Sequence, residues 1–123
     1  MYKIEFDQRN RILTTRCAGV WDVAEVERFG KELSSTLRRL KSSYPTLAIL
    51  SDSREIALPT KEVAAAFAAL SGCEFMRPTG KVAVLVARML NKLQADRMAD
   101  SPLVKVFFDE AEARAWLSAP LAD

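Results

Sequence analysis

Tyr2, Ile4 and Phe6 alternate with Lys3 and Glu5, the two-residue period of a strand with one face buried. The polar turn Asp7-Gln8-Arg9-Asn10-Arg11 leads to a second strand from about Ile12 to Ala18, so the chain opens on a hairpin. Gly19 breaks that pattern ahead of Trp21, and the period changes. Val26, Phe29, Leu33, Leu37 and Leu40 recur every three or four residues, one apolar stripe along a helix. Asp22, with Glu25 three residues on, forms a capping box at its start. Arg38, Arg39 and Lys41 complement the helix dipole at the far end.

After Pro45, the run Leu47-Ala48-Ile49-Leu50 reads as a strand buried on both faces. A loop is expected from Ser51 to Pro59. Thr60 then caps a second helix that turns Val63, Ala66, Phe67 and Leu70 inward, and Gly72 closes it. Beyond a loop from Glu74 to Gly80, Val82-Ala83-Val84-Leu85-Val86 is another buried strand. A shorter helix is predicted from about Met89 to Met98, and Val104-Lys105-Val106-Phe107-Phe108 is the fifth strand. Asp109 and Glu112 repeat the capping box before a last helix docked through Ala113, Trp116 and Leu117. Strand and helix alternate after the hairpin, which predicts right-handed crossovers. The expected fold is a single α/β domain over residues 1–123, with a mixed, mainly parallel five-stranded sheet and about four helices.

Composition narrows the chemistry. The chain has 123 residues, one domain's worth. Its 18 Lys and Arg nearly balance 16 Asp and Glu, too even a charge to steer it onto nucleic acid or a membrane by field alone. Arg9, Arg11, Arg16, Arg38, Arg39 and Lys41 read as solvated surface. Histidine is absent, which removes Ser-His and Cys-His nucleophile pairs and imidazole metal sites. Cys17 and Cys73 form no Cys-x-x-Cys pair, so no zinc ribbon or redox pair is expected, and Cys17 reads as a buried free thiol. No apolar run is long enough to span a bilayer and the start has no apolar signal core, so a cytoplasmic location is expected. No cofactor or metal is expected.

Gly19-Val20-Trp21-Asp22 before the long helix, Ala48-Ile49-Leu50-Ser51-Asp52 at the third strand, and Val106 to Leu117 at the end carry a resemblance. With the element order, they make the chain similar to the STAS domain, and more narrowly to the bacterial SpoIIAA-like proteins. The resemblance covers nearly the whole chain and implies a non-enzymatic regulatory module that binds a protein partner. It also implies a phosphorylatable serine in an Asp-Ser-Ser-Gly motif where the second helix begins. Here that stretch is Ala57-Leu58-Pro59-Thr60-Lys61, so the motif is absent and no phosphorylation switch is expected there. SpoIIAA-like proteins are also grouped with CRAL-TRIO lipid carriers, which implies an alternative role as carrier or sensor of a small apolar ligand or lipid.

The candidate binding residues follow from position. Asp52-Ser53-Arg54 stands just past a buried parallel strand, at the edge where open α/β sheets bind ligands. The competing reading is a turn in which Asp52 holds local amides. Thr60 is an N-cap that could also accept phosphate. Phe75 and Met76 are apolar residues in a loop, either anchored on the core or forming the lip of a docking cleft. Gly80-Lys81 is no phosphate loop, because it feeds a strand. A homodimer is expected from the exposed sheet edge of the hairpin and from apolar Phe75, Met76 and Met98. No catalytic pair stands out, so the chain reads as a non-enzyme.

Overall fold

In the computed structural model, which describes residues 1–87 and 102–120, five strands form one sheet in the order β1-β2-β3-β4-β5. β1 (Tyr2–Asp7) and β2 (Ile12–Gly19) are the expected antiparallel hairpin. Asp7 organises its turn: the carboxylate accepts hydrogen bonds from the Arg9 and Asn10 amides and from the Asn10 side chain. β3 (Ala48–Ile56), β4 (Val82–Leu85) and β5 (Val104–Phe107) then add in parallel. α1 (Val23–Ser43) and α2 (Lys61–Ser71) form two of the crossovers, and α3 (Glu110–Ser118) follows β5. The helix expected over Met89 to Met98 lies outside the described residues.

The order of β2 to β5 runs in one direction without reversal. Crossovers of one hand along such a sheet fall on one face, and the two cores show this division. Val26, Phe29, Leu33, Leu37 and Leu40 of α1 and Val63 of α2 pack with Leu13 and Leu47 on that face. On the other, Ala113 and Leu117 of α3 pack against Ile12, Leu50, Ala83, Leu85 and Phe107. The caps follow the sequence: Asp22, Thr60 and Asp109 each accept a backbone amide of the first turn they precede. Gly80 permits a close chain crossing, since a Cβ there would stand 2.6 Å from the Leu47 carbonyl oxygen.

One expectation is corrected. Residues 51–56 are not loop but the second half of β3. Asp52 pairs with Arg16 of β2, and Glu55 with Ala18. One extra β3 residue is accommodated between those pairs, a bulge. The bulge shifts the alternation, so that Ile56 rejoins Ile49 in packing against the α1–α2 core. The polar letters of this stretch are compatible with a strand because Asp52 finds charged partners on its neighbours.

Candidate functional site

Two features of the surface carry chemistry. The first is a charge cluster on the α3 face. β2 and β3 bring Arg16 and Asp52 opposite each other, and their side chains meet at 2.6 Å. Arg54, two residues along β3, donates to both Asp52 oxygens at 2.9 Å and to Glu110 at 3.0 Å. Glu110, in the first turn of α3, also accepts from Arg16 and, one helical turn on, from Arg114. Asp52 is buried; burial alone would raise its pKa, but hydrogen bonds from Arg54 and Arg16 hold it below the usual carboxylate value. Hydrogen bonds from Arg16 and Arg114 draw Glu110 down to about 2.

Both carboxylates therefore stay ionised at neutral pH. Neither has the near-neutral pKa that a general acid or base works best with. The cluster ties α3 to β2 and β3. Beside it lies a pocket of about 240 Å³, where Glu5 and Asp7 face Arg16 and Arg114.

The second feature is a groove of about 730 Å³ between α1 and α2. Ala24, Ala66, Ala69, Leu70 and Phe75 give it an apolar lining, with Glu27, Arg28 and Lys31 along the α1 side. Its geometry starts with Gly30. That residue falls on the buried face of α1, and a Cβ there would lie 2.9 Å from the Leu70 side chain. Small residues at such a crossing let helix backbones approach closely. Lys41 pins the far end, its Nζ donating to the carbonyls of Phe75 and Arg77 at 2.9 Å. At the head of the helices, the Ala57 amide donates to the Gly19 carbonyl at 2.9 Å. This links the two segments that carry Val20 and Leu58, which are 84% and 77% exposed.

The residues singled out in the sequence divide between these features. Asp52 and Arg54 come together, joined by Arg16, Glu110 and Arg114, which no local spacing links to them. Asp52 does accept the Arg54 amide, the local contact of the turn reading, though within a strand. Ser53 donates to the Leu85 carbonyl at 3.1 Å. The unreversed strand order provides no crevice of the kind that opens where an α/β sheet changes direction. Thr60 caps α2. Phe75 and Met76 form a short 3-10 turn, half-buried against the α1–α2 core, and Phe75 also lines the groove.

Lys81 is a further structural group that no sequence pattern marks. It is buried, and its Nζ donates to the carbonyls of Trp116, Ala119 and Pro120 at the end of α3. A search of family models finds no match to the chain, and a search of characterised proteins finds none either.

Proposed function

We propose that the chain is a non-enzymatic regulatory module of the STAS/SpoIIAA-like kind that holds an amphipathic helix of a protein partner in the α1–α2 groove. The groove itself supports the reading best. Its apolar lining is open to solvent along one side, and Val20, Val23 and Leu58 are exposed apolar residues in the segments that lead into the two helices. A helix laid in a groove buries one apolar stripe and keeps its polar flank wet. Arg28 and Lys31 on the α1 wall outnumber Glu27, so an acidic flank on the partner is the complementary choice. The loop before α2, α2 itself and Phe75 form the working surface, in a cytoplasmic setting.

A second reading draws on the volume. About 730 Å³ lies within the roughly 300–1,000 Å³ of small-molecule sites, which suits a carrier or sensor of a small apolar ligand or lipid. The groove lies between α1 and α2, and its open side favours the helix.

The test is affinity capture from native lysate with wild-type bait and an Ala69→Arg bait, quantified by mass spectrometry. Ala69 is exposed on α2, so the arginine fills the groove without entering the core. A protein held by wild type and by Thr60→Ala bait but lost with Ala69→Arg supports the proposal. No specific protein, or one indifferent to Ala69→Arg, overturns it. Native mass spectrometry showing a co-purified apolar molecule that Ala69→Arg displaces would establish the carrier reading instead.

A further inference from the structure

The outer edge of β1 has a pattern that fits one occupant. β1 pairs with β2 alone and ends the sheet. Met1 and Ala18 exchange hydrogen bonds of 3.1 and 2.9 Å, which fixes the phase of the hairpin ladder. Hydrogen-bonded and non-hydrogen-bonded pairs alternate along an antiparallel ladder. Lys3, Glu5 and Asp7 therefore direct their backbone groups to β2, and Tyr2, Ile4 and Phe6 direct theirs outward. Among the described residues no strand receives them. The side chains of Tyr2, Ile4 and Phe6 pack toward α1. Lys3 and Glu5 stand on the opposite face, 72% and 59% exposed, in contact with each other at 3.6 Å.

We propose that this edge pairs antiparallel with β1 of a second copy, with Ile4 opposite Ile4 on the two-fold axis. In that register Tyr2 faces Phe6 of the second copy, and the outward backbone groups of Tyr2, Ile4 and Phe6 all meet partners. Lys3 comes opposite Glu5 of the second copy, and Glu5 opposite its Lys3, at non-hydrogen-bonded positions where side chains approach most closely. The neighbouring registers that preserve the hydrogen-bond phase each put a like-charge pair on the two-fold axis, which the Ile4 register avoids. Sliding one pleat repeat either way sets Lys3 against Lys3 or Glu5 against Glu5.

Charges on an edge strand ordinarily deter pairing. Here their order deters most partners and matches a second copy, whose two-fold symmetry makes the patch self-complementary. The result is a continuous sheet through two chains. A strand this short buries less than the roughly 1,200 Å² of a standard interface, so the dimer belongs to the weak class, with a Kd on the order of 10–100 µM. The proposal does not rest on the α1–α2 groove.

Sedimentation equilibrium from about 5 to about 500 µM tests it on the full chain. Wild type should pass from monomer to dimer across that range. Glu5→Lys, which places like charges opposite each other twice, should weaken dimerisation by about tenfold or more. The double variant Lys3→Glu/Glu5→Lys reverses both charges and restores the match, so its Kd should return to within about threefold of wild type. Both residues are exposed, so the variants should retain the wild-type circular dichroism spectrum. Glu5 also lines the pocket with Arg16 and Arg114, so any loss of thermal stability is expected equally in Glu5→Lys and in the double variant, whereas dimerisation returns in the double variant alone. A wild-type chain that stays monomeric overturns the proposal. So does a dimer indifferent to Glu5→Lys, or one that the double variant fails to restore.

Discussion

Replacing Glu110 with Gln removes the carboxylate that joins Arg16, Arg54 and Arg114. Arg16 and Arg54 would then keep Asp52 as their acidic partner in the cluster, and Arg114 would lose its bond to Glu110. The displacement of Glu110 from 4.5 to about 2 corresponds to about 3 kcal/mol if taken whole. Solvent reaches 27% of the side chain, and screening with side-chain mobility reduces the effect to about 1–2 kcal/mol. Because the folded value lies below the unfolded one, ionised Glu110 stabilises the protein above about pH 4.5 and loses that effect as pH falls toward 2. Urea unfolding of wild type and Glu110→Gln should therefore differ by about 1–2 kcal/mol at about pH 7 and by under about 0.5 kcal/mol at about pH 2.5, with unchanged m-values. Equal deficits at the two pH values would refute the linkage argument, and no deficit at neutral pH would show that the cluster contributes nothing.

Thr60→Ala removes the α2 cap and should cost about 0.5–2 kcal/mol in urea unfolding while leaving partner capture intact. Lys81→Met strips a buried ammonium from three carbonyls at the end of α3. It should cost about 1–3 kcal/mol, with faster amide exchange concentrated in α3. Cys73 is exposed, whereas burial pushes the Cys17 thiol up to about 11. At about pH 8 a disulfide reagent should titrate Cys73 at once and Cys17 at least about 100-fold more slowly, until denaturant exposes it.

Short-range signals were legible where one element satisfied its own rule. The α1 stripe is buried at each of its five expected positions, because a 3.6-residue period needs no knowledge of the neighbouring element. The caps at Asp22, Thr60 and Asp109 are equally local. The extension of β3 to Ile56 was not legible, because Ser51 to Glu55 look like loop until Arg16 is placed beside Asp52. The charge cluster was hidden for the same reason: Arg16 and Glu110 are 94 residues apart, and no periodicity connects them. Part of the groove did have a signal. Gly30 falls on the buried face between Phe29 and Leu33, where only close approach of another helix explains the missing side chain.

Each strand of the sheet lies beside its predecessor in the chain, and this has a kinetic consequence. No strand must be threaded between two that have already paired, so the sheet can grow outward from the hairpin. Each crossover closes a loop only to the nearest open edge, which keeps the entropic search short. As synthesis proceeds, β1, β2, α1 and β3 can assemble around Leu13, Phe29, Leu37 and Leu47 before β5 and α3 have emerged. Until then the second face, with Ile12 and Leu50, lacks α3, so chaperone contact during synthesis should be concentrated there.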